Sequence, residues 1–256
     1  MSLQRKIVFV LALMVFVGAA GVILDHYVTG WRAEKALNEL EKYKVETQAD
    51  METENGTVLG KYVELYKQNP DIIGWLKIGG TNINYPVMQT KNDPEFYLRR
   101  GFDKEYSLSG TPFMDASSDI FLPTCNWMIY GHHMKDGTMF RDVTKYADYD
   151  FYQDHKIIEF DTIYKETGQG EYEIVAAFYA EIYDKNETDV FKYYQYAGIQ
   201  TEASFNEYVA GVKAKSVYDT GVEVEYGDQL ITLSTCNYHV DDGRGRFAVV
   251  AKKIEE

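Results

Sequence analysis

The stretch ITLSTCNYHVDDGRGRFAVVAKKI, from Ile231 to Ile254, sets two apolar runs rich in β-branched residues on either side of a polar, glycine-containing loop. This pattern reads as two neighbouring antiparallel strands joined by a turn-rich connection. The first run ends in Cys236, and the second begins at Arg246, with Arg244 two residues before it. If the strands pair, a thiol at one strand end faces a guanidinium at the head of the next. Cys236 is then either a small buried residue or a nucleophile.

Upstream the same texture recurs in IIGWLKI, GGTNINYPVM, GTPFMD, NWMIYG, KIIEF, GEYEIVAAFYAEI and DQLITLST, each short and bounded by turn residues. That spacing predicts an antiparallel sheet or barrel. Two later segments read as helices: Met139 to about Asp154, and Thr201 to about Ser216, where Phe205, Tyr208, Val209 and Val212 recur at helical spacing. There is no internal repeat and no low-complexity tract. The 45% hydrophobic residues, 15% aromatics and 22 tyrosines exclude disorder and suit a β-rich body with many half-buried strand positions. A chain of 256 residues fits one domain better than two once its ends are set aside.

Before the body, Ile7 to Leu24 runs eighteen residues without a charge, long enough to cross a bilayer as a helix and longer than a usual secretory core. Arg5 and Lys6 precede it and Asp25 follows, which leaves residues 1–6 in the cytoplasm and sends the rest outside. A cleaved signal peptide is the competing reading, because GAAG offers small residues to a peptidase. Residues 25–70 read as a helical linker: one helix from Trp31 to about Glu52, a break at ENGT, and a second from Val58 to Lys67 ended by Asn69 and Pro70.

A net charge of -14 repels phosphate backbones and anionic lipid surfaces, so nucleic acid is not expected as a partner. Two cysteines, Cys125 and Cys236, cannot build a disulfide framework, although one bridge between them is open to the chain. A thiol enzyme needs a base or positive charge near its cysteine, because the thiolate is the attacking species. His132 and His133 follow the strand-like NWMIYG, but adjacent residues of an extended chain point to opposite faces, so only one can serve. His239 lies three residues after Cys236 and is a rival, His155 opens KIIEF, and His26 sits beside the apolar span. Spacing and parity do not separate Arg246 from Arg244. Zinc is a poor fit, since adjacent histidines suit one metal badly and there is no CxxC or HExxH.

Four motifs in order, DIIGWLKIGGTNINYPVMQ, YGHHMKDGTMF, TLSTC and RFAVVAK, make the body resemble the sortase family, and within it class B, from Asp71 to Ile254. The resemblance implies a mainly β fold: a closed eight-stranded barrel with amino-terminal helices and one long helix before the cysteine strand. It implies a catalytic domain over residues 71–256, carried outside the cell membrane by a single-pass anchor at 7–24. It assigns the nucleophile to Cys236, the histidine to His132 and the arginine to Arg246, with Leu98, Tyr130, Ser234, Thr235 and the Ala180 to Ala197 segment lining a substrate groove. The implied activity is cysteine transpeptidation without cofactor or metal. A carboxy-terminal sorting signal on a secreted protein, of Asn-Pro-x-Thr type, is cut at the threonyl carbonyl through a thioacyl enzyme. The acyl group then passes to an amine of a cell-wall precursor, lipid II or a peptidoglycan cross-bridge, or of a pilin. Residue chemistry alone leaves two alternatives: an anchored cysteine protease that hydrolyses, and a non-enzymatic β-type binding module.

Overall fold

The long uncharged amino-terminal run propagates as a single helix, α1 (Leu3–Leu40), in the computed structural model, which describes residues 3–44, 48–122, 124–240 and 242–255. Residues Gln4–Gly21 of this helix are long and apolar enough to cross a membrane, and none of that stretch is buried in the protein. The far end of α1 docks on the body. Leu37 and Leu40 are buried, the Glu41 carboxylate accepts from Asn84 Nδ2 at 2.9 Å, and Lys44 Nζ lies 4.3 Å from the centre of the Trp75 ring.

The linker departs from the helical expectation. After a single 3-10 turn at Glu41–Tyr43, the chain forms a hairpin of β1 (Met51–Thr53) and β2 (Gly56–Val58), where one helix to about Glu52 was expected. Asn55-Gly56 favours a tight hairpin turn, and Gly56 takes φ 141°, a region open to glycine. Tertiary contacts complete the override of helix propensity: Val58 bridges Tyr164, and the Glu166 carboxylate accepts from Thr57 N at 3.1 Å. The second helical stretch shrinks accordingly to a 3-10 turn at Gly60–Tyr62 and α2 (Val63–Gln68).

The eight apolar runs of the body become β3 (Ile72–Lys77), β4 (Asn84–Met88), β5 (Phe113–Met114), β6 (Asn126–Gly131), β7 (Ile157–Thr162), β8 (Glu171–Glu181), β9 (Leu230–Cys236) and β10 (Gly245–Lys253). Among the described residues these eight close into a barrel in the order β10-β8-β7-β3-β4-β5-β6-β9. The barrel is mixed rather than wholly antiparallel, because β4 pairs with β5 and β6 with β9 in parallel. Parallel neighbours need long crossovers, and the chain between β6 and β9 supplies one that carries both later helical regions. The first of these is broken: a 3-10 stretch at Phe140–Ala147 gives way to α3 (Tyr149–Asp154), where the Asp148 carboxylate caps Asp150 N.

Alternation along β9 and β10 splits the core in two. Ile231, Leu233, Phe247 and Val249 join the main apolar core, whereas Leu230, Ala248 and Val250 join a second cluster with Met128. The second cluster is covered by α4 (Glu202–Lys215) through Phe205, Tyr208 and Val212. These three are fully buried at i, i+3 and i+7, and each contributes roughly 1.5–3 kcal/mol, more than any helix propensity in the segment. Thr201 caps the helix at Ser204 N, and Lys213 and Lys215 sit in the last turn, where the helix dipole favours cations. This is the helix anticipated before the cysteine strand.

Candidate active site

Parity places the candidate side chains on the covered outer face of the barrel. On β9 the row Leu230, Thr232, Ser234 leads to Cys236; on β6 the row Asn126, Met128, Tyr130 leads to His132; on β10 Val250 and Ala248 lead back to Arg246. The polar members are paired under the cover: Tyr208 Oη meets Thr232 Oγ1 at 2.6 Å, Thr232 donates to Asn126 Oδ1 at 2.8 Å, and Tyr193 Oη meets Ser234 Oγ at 2.7 Å. Buried hydroxyls on a strand otherwise cost stability, so these bonds fix the cover on the strand that ends in the thiol. Burial pushes the Tyr193 phenol up to about 12, which keeps it protonated.

Antiparallel register sets Arg246 directly across from Cys236. Its guanidinium Nη1 donates to the carbonyls of Gly243 at 3.1 Å and Gly245 at 2.8 Å, and among the described residues no carboxylate forms an ion pair with it. Arg244 is engaged elsewhere, at 2.5 Å from the Asp242 carboxylate and 3.9 Å from Glu187. Register and partners thus distinguish the two arginines: Arg246 lies beside the thiol, and Arg244 is held by acidic side chains.

His132 stands where β6 ends and the chain turns back. Its carbonyl accepts from Phe140 N at 2.9 Å, and the Phe140 ring lies so close that a Cβ on Gly131 would fall 2.4 Å from it. Only glycine fits there. Met139, buried in the same turn, holds φ 55°, an uncommon conformation for a residue with a side chain and one that persists where surroundings over-determine it. The His132 Nε2 lies 2.8 Å from the Leu98 carbonyl. A carbonyl only accepts, so Nε2 carries a proton and Nδ1 is the nitrogen that titrates. Burial holds this imidazole below the ordinary histidine range; the Leu98 bond works against that shift and the nearby Arg99 charge adds to it.

Cys236, His132 and Arg246 open onto one cleft of about 410 Å³, and Leu98, Tyr130, Ser234 and Thr235 line it as well. The Ala180 to Ala197 segment contributes Ile182, Tyr193 and Tyr194. Tyr130 donates to Asp115 Oδ2 at 3.0 Å, and burial with that carboxylate pushes its phenol far up, so it remains a donor. Pro94, Glu95, Phe113 and Asp115 also line the cleft and carry no sequence signal that ties them to it. The rival histidines lie elsewhere: His239 is exposed against Asn237, and His155 stacks on Phe151 at 4.0 Å. Both cysteines are free thiols, and Cys125 packs beside the second core with its thiol pushed up by burial. A larger hollow of about 970 Å³ between Leu59, Asp161 and Lys253 is lined by neither a thiol nor an imidazole. Among the described residues no group of three or more His, Cys, Asp or Glu side chains is arranged to hold a metal ion.

The fold is thus a closed mixed barrel whose outer cleft gathers a thiol, an imidazole and a guanidinium. A family model described as a sortase domain matches residues 76–254. Sortase B of Listeria monocytogenes is 36% identical over 200 residues, 78% of this chain and 76% of that one. A crystal structure of sortase B from B. anthracis in complex with AAEK1 superposes with a TM-score of 0.73 at 27% identity, covering 90% of this chain and 100% of that one. A Staphylococcus aureus sortase B–substrate complex gives 0.68 at 30% identity, over 90% and 97% of the two chains. The chain belongs to the sortase family of transpeptidases and is a class B sortase.

Proposed function

We propose that this sortase cuts a carboxy-terminal sorting signal of the Asn-Pro-x-Thr type and transfers the shortened protein to an amine of a cell-wall precursor or of a pilin. The observation that carries the reading is the convergence of Cys236, in register with Arg246, and His132 on one cleft. Cys236 gives its thiol proton to His132 and, as the thiolate, attacks the threonyl carbonyl carbon; the carbonyl electrons move onto oxygen, where the Arg246 guanidinium donates to the oxyanion. Collapse breaks the C–N bond, and protonated His132 gives its proton to the leaving amine. A thioester on Cys236 remains. The incoming amine then attacks that thioester, His132 takes the proton, and the thiolate departs with the new amide formed.

The S. aureus sortase B that was solved with its substrate supports a signal-bearing protein as the partner here. The apolar part of α1 supports a membrane anchor at 7–24, and Arg5 and Lys6 before it favour residues 1–6 inside and the catalytic domain, 71–256, outside. Hydrolysis shares the first half of the reaction, so the products decide between a transpeptidase and a protease. Incubation with a panel of sorting-signal peptides and a glycine- or diaminopimelate-type amine should give the amide-linked product, with the free acid as the minor species. Free acid alone at saturating amine would point to a hydrolase, and no cleavage of any peptide would favour a binding module.

A further inference from the structure

His133 is the neighbour that parity turns away from the cleft, yet it is not idle. Its Nδ1 lies 3.0 Å from the main-chain carbonyl of Cys236, and its ring contacts Tyr238 at 5.4 Å between centres. The reason lies in the ladders that meet at Cys236. Asn237 N donates to Gly245 O at 2.9 Å, so residue 237 turns its main-chain groups toward β10, and Cys236 turns its own the other way, toward β6. On that side the parallel ladder of β6 and β9 has just ended, with Gly131 paired to Thr235. The β6 chain leaves to form the turn in which His132 O accepts from Phe140 N. No strand neighbour remains for the Cys236 carbonyl, and the His133 side chain takes that place. Since a carbonyl only accepts, His133 donates through Nδ1–H.

We propose that His133 is a positioning residue, which clamps the main chain of Cys236 to the strand end bearing His132 and so sets the spacing of thiol and imidazole. One residue pair thereby divides the work: His132 faces the cleft, and His133 holds the backbone of the nucleophile. The Thr235 hydroxyl, which donates to Gly131 O at 2.7 Å, reinforces the same seam one residue earlier. The inference rests on the role proposed for Cys236, and its test has an arm that needs no sorting signal.

In the full chain, His133→Ala should lower kcat for a cleaved signal peptide by about 10- to 100-fold, as small misplacements of reacting groups do, with KM within about twofold. His133→Asn sets its amide nitrogen where Nδ1 stood and should restore most of the loss, and melting temperatures of both variants report whether folding is intact. In parallel, the rate of Cys236 alkylation by iodoacetamide is followed against pH and resolved from Cys125 by peptide mapping. The His133→Ala profile should depart from the unsubstituted one, and the His133→Asn profile should lie on it. Superimposed profiles for all three proteins, or equal losses in both variants, overturn the proposal. If the unsubstituted chain cleaves no peptide, the functional reading fails, while the alkylation profiles still decide the role of His133.

Discussion

His132→Ala should lower turnover of a sorting-signal peptide by about 10²- to 10⁴-fold, the range that a positioned general acid–base group supplies. The loss follows from geometry, since His132 continues the Tyr130 row into the cleft that holds Cys236 and is oriented there by the Leu98 carbonyl at 2.8 Å. Steady-state kinetics on His132→Ala and His133→Ala check it: the loss at His132 must exceed that at His133, and equal losses would remove the distinction between them. The same variant has a readout independent of turnover. Burial disfavours the imidazolium, so the folded His132 titrates below the ordinary value of about 6.5. As pH falls through that value the unfolded chain takes the proton first, and stability declines until the folded state is protonated too. His132→Ala removes this contribution, so its melting temperature should fall less steeply between neutral and mildly acidic pH. A slope as steep as that of the unsubstituted protein would contradict a buried, neutral histidine.

Arg246→Ala should cost about 10²- to 10³-fold, in line with removal of a donor aimed at a developing oxyanion, whereas Arg244→Ala should stay within about fivefold. The contrast comes from register. Arg246 is the strand partner of Cys236 and is steadied by two carbonyls of its own loop, which leaves other N–H groups of its fork for substrate. Arg244 spends its guanidinium on Asp242 and Glu187 at the surface. Arg246→Lys keeps the charge but not the planar fork and should recover only part of the rate. Comparable losses at the two arginines would place the oxyanion donor elsewhere.

The reading of residues 231–254 as two paired strands survives in the structure, because β-branched alternation with one buried face specifies a strand and its register strongly. Parity on β6 excluded joint service by His132 and His133 without choosing between them; the structure puts His132 with Tyr130 on the cleft and His133 on the Cys236 carbonyl. Other features had no local signature. Arg244 and Arg246 share parity, and only the pairing of Arg246 with Cys236 and the acids beside Arg244 tell them apart. The β1/β2 hairpin lies among helix formers, and its stability comes from a distant edge at Tyr164 and Glu166. The parallel pairs β4/β5 and β6/β9 follow from closure of the barrel, which no single segment encodes. Pro94, Glu95 and Asp115 reach the cleft from connections, whose course depends on what they pack against.

In the proposed reaction Cys236 carries the acyl group. The full chain, held in detergent with a cleavable sorting-signal peptide and no amine, is quenched in acid, digested and mapped by mass spectrometry. The peptide containing Cys236 should gain the mass of the signal up to its threonine, lose it on treatment with hydroxylamine, and show no gain in Cys236→Ala, while Cys125→Ala keeps the adduct. Cleavage that proceeds in Cys236→Ala, or an acyl group found on any other residue, would contradict the account.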